Sequence, residues 1–270
     1  MTSPPNNTSP LNSLKSYGPH KGEVELHGQR YFLKQQINPQ HDFFMAEARG
    51  LEALQGTGLI ETPSVVDVSS HGILLSWITS TRGSKHGWVE LAKRLSRIHS
   101  KEQAFFGFSL DGYCGDTPQP NPQMENGFDF FGQARLQYQA EMAFNNNLIQ
   151  KSDLESIHRL INHLPSILPS QPPVLIHGDL WSGNVLFDLT GQPVLIDPAA
   201  HYGWAEADIA FSLLFGGFDP VFYESYQSLH PFEPGFKQRV EIYNLYHLLN
   251  HLNLFGRSYY ASVSSIINAF

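Results

Sequence analysis

A single cysteine, Cys114, serves the whole chain, so no intrachain disulfide can form; this suits a reducing, cytoplasmic setting. Cations are also scarce. Seventeen Lys and Arg stand against 25 Asp and Glu, a formal net charge of -8. A nucleic-acid partner, whose phosphates need clustered Lys and Arg, is therefore not expected. Apolar residues make up 41% of the chain, but no run is long enough to span a bilayer, so no membrane partner is expected either. The first residues lack both a basic start and an apolar core, which excludes a secretory signal. Residues 1–15 are rich in Pro, Asn, Ser and Thr and read as a disordered leader. No internal repeat is visible. A length of 270 residues leaves room for one large core or two modest ones.

What is present centres on residues 174–197. Val174, Leu175 and Ile176 read as a short apolar strand, left by the loop His177-Gly178-Asp179. Asn184 closes that loop, Val185 to Phe187 start a second strand, and a turn at Gly191 leads to a third, Pro193 to Ile196. Asp197 lies at its end, so the hairpin returns it beside Asp179 and Asn184. Phosphoryl transfer needs one carboxylate to orient and deprotonate a hydroxyl, and oxygen ligands for Mg²⁺ on the ATP phosphates. Asp179 is the candidate catalytic base; Asn184 and Asp197 are the candidate metal ligands. Asp and Asn also cap ordinary turns. The apolar strands on both sides and the returning aspartate favour the chemical reading.

The preceding chain supplies the rest of a nucleotide site. Glu23 to Leu26 and Arg30 to Gln35 read as a hairpin around His27-Gly28, with Lys34 near the end of the second strand. Residues 42–55 carry Phe44, Ala48, Leu51 and Leu54 at helical spacing, with Glu47 beside that face. A strand lysine fixed by a helical glutamate holds α- and β-phosphates in kinases. Lys34 and Glu47 are assigned to ATP on that ground. The glycine loop before them is poor: Gly18 and Gly22 flank Pro19, which lacks an N–H. It reads equally as a phosphate loop or an ordinary turn. Residues 64–69 and 72–78 read as two more strands. Ser76, Trp77 and Ile78 are the candidate hinge against adenine, and the linker after them is the expected boundary between a β-rich lobe, 16–79, and a mainly helical lobe, 80–270.

Downstream, Trp88, Leu91, Ala92, Leu95, Ile98 and His99 give an amphipathic helix, with His99 expected to pack or hydrogen-bond at its end. Gly107 to Gly127 is a long Gly, Pro and Asn segment whose aromatic residues argue for order; a pocket wall and a structural wrap both remain open. Helices are expected over 128–148 and 153–164, ended by Pro165, and again over 220–229, 236–255 and 258–270. Glu206 and Asp208 open another helix, where Asp208 could also accept N–H bonds from the catalytic loop.

The motifs H-G-D-L-W-S-G-N, I-D-P-A, A-E-A-R-G-L-E-A-L, G-D-T-P-Q-P-N, L-F-G-G-F and L-Y-H-L-L-N-H-L-N-L-F-G resemble the fructosamine/ketosamine kinase family, from about Lys34 to the end. The resemblance implies a protein-kinase-like α+β fold in two lobes with ATP between them. It implies phosphorylation of the sugar C3 hydroxyl of a fructosamine-type adduct, either a small sugar-amine or a glycated lysine. By position, Asp179 would be the base, Asn184 and Asp197 would hold Mg²⁺, and Lys34 would meet phosphate. Trp181 is the candidate substrate residue, since a flat indole can pack on a sugar face. The chain departs from the family at Trp204-Ala205, where Asp-Arg is usual. Two other readings stand beside this one: the same fold acting on an aminoglycoside or choline-like acceptor, or a nucleotide-binding regulatory protein.

Overall fold

The structure, a computed structural model, describes residues 9–14 and 18–269. A four-stranded antiparallel sheet, in the order β1-β2-β4-β3, forms the first layer. Its strands are β1 (His20–Leu26), β2 (Gln29–Gln35), β3 (Val65–Ser69) and β4 (Gly72–Ser76). His27 and Gly28, at φ of 53° and 77°, make the two-residue turn that joins β1 to β2. Alternation along the strands splits the apolar side chains between two faces. Val24, Leu33 and Leu74 pack under α1 (Pro10–Ser13) with Leu11 and Leu14. Ile73 and Leu75 pack under α2 (Phe43–Gly56) with Phe44, Ala48 and Leu51. Lys34 neighbours Leu33 and is paired with Ile73, so it shares the α2 face.

The short helix α1 corrects part of the leader expectation. Leu11 and Leu14 are buried, and the Leu11 N–H and Ser9 hydroxyl both bond Asp67, so apolar contact and a carboxylate anchor order this stretch. Residues 1–8 and 15 of that expectation lie outside the described residues.

The second body begins where β5 (Ser80–Thr81) pairs with β9 (Val185–Asp188), which pairs in turn with β10 (Pro193–Leu195). We therefore propose the lobe boundary at Thr79–Ser80. Around this sheet stand α3 (Lys85–His99), the small hairpin β6 (Gly112–Cys114) and β7 (Thr117–Gln119), and a long rod. The rod runs from α4 (Gly127–Asp129) through a π-helical stretch (Phe130–Gln137) into α5 (Tyr138–Asn145). Next come α6 (Lys151–Ile167), β8 (Val174–Ile176), β11 (His201–Gly203), α7 (Ala205–Ser212), α8 (Pro220–Leu229), α9 (Phe236–Phe255) and α10 (Tyr260–Ile267). One large apolar core joins these elements.

β8 pairs with β11, whereas β9 and β10 join β5, so two small sheets carry the central loop. One expectation changes: helix α6 continues past Pro165 to Ile167.

Candidate active site

Asp179 leaves β8 on a loop that bends sharply at Gly178. The φ there is +77°, and a Cβ would stand 2.2 Å from the Ala199 carbonyl oxygen, so only glycine fits. The loop is held from below by Asp208 on α7. Its carboxylate accepts the N–H groups of His177 at 2.8 Å and Gly178 at 2.9 Å. Burial works to raise the Asp208 carboxyl, but His99, His177 and the loop N–H groups outweigh it and hold the group below its ordinary range. His99 Nε2 lies 3.4 Å from Asp208, and its Nδ1 bonds the Tyr226 hydroxyl at 2.7 Å. His99 is thus a packed support at the end of α3.

His177 ties the loop to the hairpin. Its Nδ1 accepts the Asp179 N–H at 3.2 Å, so Nε2 carries the proton that it donates to the Ile196 carbonyl at 3.0 Å. Burial holds this imidazole below its usual pKa and therefore neutral near pH 7. Asn184 completes the connection. Its Nδ2 donates to the Asp179 carboxylate at 2.8 Å and to the Asp179 carbonyl at 2.9 Å. Among the described residues every hydrogen bond of its side chain runs through Nδ2, which leaves Oδ1 available as an oxygen donor. Burial pushes the Asp179 carboxyl up to about 7; Asn184 opposes that rise and Asp197 adds to it.

Asp197 follows in a left-handed conformation, φ 52°, unusual for a residue other than glycine. Its Oδ1 meets the Lys34 ammonium at 2.6 Å and its Oδ2 meets Lys21 at 3.2 Å. Lys34 also meets Glu47 at 2.6 Å. Burial works against the ammonium, yet the two carboxylates prevail and the Lys34 pKa is raised. Burial raises Glu47 despite Lys34. For Asp197 burial is outweighed by Lys34 and Lys21, and its carboxyl is held low.

The sequence-assigned Asp179, Asn184, Asp197, Lys34 and Glu47 therefore meet at one place. A cleft of about 870 Å³ opens from it, lined by Asp179, Trp181, Asn184 and Asp197 on one side and Ser76, Trp77 and Ile78 on the other. Ser76 commits its N–H and hydroxyl to Ser64, each at 2.9 Å, which narrows its part in any hinge to its carbonyl. Trp77 packs on Phe32 with Arg30 over its ring. Trp181 is 38% exposed at the cleft, edge-on to Phe215, and its indole lies where a Cβ on Gly183 would clash at 2.3 Å. Gly183 in the motif is the signal that permits this pose. A second cavity, of about 540 Å³, lies beside Lys34 and Glu47; Leu110, Asp111, Tyr113 and Asp116 wall it, so the Gly107–Gly127 segment is both packed and cavity-lining.

Lys21 was missed, because a lone lysine in a weak glycine loop carries no pattern. The cleft wall from α9, His251 and Phe255, was missed too, although His247 and His251 stand four apart on one helical face. Trp204 and Ala205 sit away from the cleft: Trp204 is buried among Phe106, Phe128, Phe131 and Tyr243. A buried hydrogen-bonded ion pair between Glu206 and Arg239, at 2.6 Å, follows on α7.

The donor set, a carboxylate with an amide oxygen and two ammonium groups, fits a hard divalent cation carrying phosphates. Comparison with known proteins gives the family. The fructosamine kinase family profile matches residues 20–270. A Synechocystis protein named "Probable ketoamine kinase" is 41% identical over 236 residues, covering 86% of this chain and 79% of the relative. The chloroplastic protein-ribulosamine 3-kinase of Arabidopsis thaliana is 35% identical, covering 88% and 75%. A crystal structure of a fructosamine-3-kinase-type protein from Thermobifida fusca superposes with a TM-score of 0.84 at 28% identity, covering 92% of this chain and 88% of that one. An aminoglycoside phosphotransferase in complex with gentamicin, at 16% identity and TM-score 0.61, covering 94% and 88%, shares the protein-kinase-like fold.

Proposed function

The chain belongs to the fructosamine kinase family, and from that membership we propose that it transfers the γ-phosphate of ATP to the C3 hydroxyl of a ketosamine. The acceptor is a small sugar-amine or a glycated lysine. One observation carries the reading: Lys34, Asp197, Asn184 and Asp179 form a continuous chain of polar contacts, with Asp197 lining both the cleft that holds Asp179 and Asn184 and the neighbouring cavity beside Lys34.

In this reading the adenine lies against Trp77 and Ile78, and the phosphates run toward Lys34, which Glu47 holds in place. Lys21 supplies from β1 the charge that the weak glycine loop does not supply through N–H groups. Asn184 and Asp197 would hold Mg²⁺, which screens charge on the phosphates when bound. Asp179 orients the acceptor hydroxyl and takes its proton as the oxygen attacks phosphorus. A carboxyl near pKa 7 is well matched to that task at neutral pH. Trp181 packs on the sugar face, and His251 and Phe255 bound the far side.

An ATP-consumption assay over fructosyl- and ribosyl-amines, aminoglycosides and choline tests this. Turnover of the sugar-amines alone is expected. Turnover confined to aminoglycosides or choline would replace the acceptor, and ATP binding without turnover of any would favour the regulatory reading.

A further inference from the structure

Cys114, His247 and Asp179 approach one another from three separate elements. Their thiol, imidazole and carboxylate ligand atoms all lie within 4.8 Å of one another. Phosphoryl transfer gives the first two no task. Cys114 ends β6 and is 2% exposed; its carbonyl accepts bonds from Thr117 at 2.9 Å and Asn250 at 3.1 Å, which fix the turn. His247 lies on α9 and is 6% exposed. Its ring stacks on Phe211 at 3.6 Å and 19°, and that contact sets its rotation. Its Nδ1 then faces Cys114 Sγ at 4.0 Å, too far for a strong hydrogen bond.

We propose that these three side chains form a second metal site, for a thiophilic divalent cation such as Zn²⁺, separate from the oxygen-donor magnesium position. Sulfur, imidazole and carboxylate in one shell suit zinc, and three protein ligands leave a fourth position open. Magnesium prefers an all-oxygen shell and is not favoured here. Zinc bonds of about 2.0–2.3 Å put neighbouring ligands roughly 3.5 Å apart, so the triangle closes by about 1 Å on binding. Two of the three ligands sit on rigid elements, and the catalytic loop supplies the third from the side that lines the cleft.

Burial keeps the Cys114 thiol protonated. Binding therefore exchanges its S–H bond for an S–metal bond and releases that proton to solvent. The functional consequence rests on the proposed kinase reading. A cation on Asp179 occupies the base, so zinc inhibits transfer without competing for ATP.

The test uses the full chain without ATP or Mg²⁺. Calorimetry with ZnCl₂ in two buffers and absorption spectroscopy with CoCl₂ are expected to show one ion per chain, proton release, and a thiolate-to-cobalt charge-transfer band. Cys114→Ser removes the band, and both Cys114→Ser and His247→Gln weaken zinc at least about tenfold. Melting curves establish which variants fold, and either folded variant suffices. Cobalt bound without a thiolate band, or zinc affinity unchanged in the folded variants, overturns the site. These binding results stand whether or not the protein proves to be a ketosamine kinase. If it is one, zinc inhibition relieved by Cys114→Ser is the further expected result.

Discussion

The Lys34 ammonium bridges the two lobes, 2.6 Å from Asp197 on the loop after β10, while its other contact, Glu47, stays within its own lobe at 2.6 Å. Lys34 and Glu47 are each about one-tenth exposed, so neither charge is well solvated. Lys34→Met leaves Glu47 buried without its partner. We expect a loss of about 3–5 kcal/mol in urea unfolding, by analogy with other broken buried pairs. Adding Glu47→Gln should return part of it. ATP affinity should fall in both variants, and a calorimetric titration that finds it unchanged would remove Lys34 from the nucleotide site.

Lys21 makes the opposite case. It is mostly exposed and meets Asp197 at 3.2 Å. Lys21→Ala should leave stability within about 0.5 kcal/mol, as is usual at exposed positions. The Kd for ATP should rise several-fold and depend less on salt. An unaltered Kd would return the glycine loop to the reading of a plain turn.

Asp179 should set the acid limb of activity. The base must be ionised, and burial holds it up to about 7, so kcat/KM should fall roughly tenfold per pH unit below that value. Asp179→Asn should lower kcat by about 10²–10⁴ and abolish that limb while ATP binding persists. A pH–rate profile that stays flat down to pH 5 would contradict the assignment.

Much of this site was legible because it is local. His177 to Asp197 spans two turns and a hairpin, and apolar runs between polar loops specify such a unit without distant information. Lys34 and Glu47 were readable as a strand followed by a helix. What stayed hidden depends on partners far along the chain. Three-residue strands such as β8 carry no mark of their neighbour, and β11 was not foreseen. The π-helical stretch at 130–137 has the same apolar spacing as an α-helix at that length, and Pro165 lies late enough in α6 for the helix to pass it. The contact between Lys21 and Asp197 joins residues 176 apart.

Buried histidines should make the fold acid-sensitive. His177, His201 and His247 are held below their usual pKa by burial. Between the folded value and the unfolded one near 6.5, the unfolded chain binds more protons. Their contribution is thus complete above about pH 6.5 and lost as pH falls, about 1.4 kcal/mol per unit for each. Asp179 and Glu47, both raised, slope the other way over part of that range. His201→Gln isolates the effect, since an amide can still donate to the Ala199 carbonyl that His201 now contacts at 3.0 Å. Urea midpoints from pH 8 to 5 should flatten in this variant relative to the parent. Parallel curves would show that His201 does not titrate on unfolding.

Glu206 and Asp208 stand two residues apart on α7 yet serve different parts of the molecule. Glu206 takes the Arg239 guanidinium at 2.6 and 2.9 Å, the Tyr243 hydroxyl at 3.0 Å and the Glu233 N–H at 3.2 Å, all within the helical body. Asp208 takes the two N–H groups that shape the catalytic loop. Glu206→Ala strands a buried arginine and should cost about 3–5 kcal/mol, with kcat of the folded fraction nearly intact. Asp208→Asn keeps the volume but removes the charge and can accept through only one oxygen. It should cost less stability, about 1–3 kcal/mol for a lost charge-assisted bond, and should lower kcat more than it raises the KM for ATP. Asp208 is a positioning residue: it acts through Gly178 and His177 on where Asp179 stands, so the kcat-against-KM split separates its role from mere packing. Equal losses of stability and no difference in kcat between the two variants would mean that α7 supports the loop only as a rigid body.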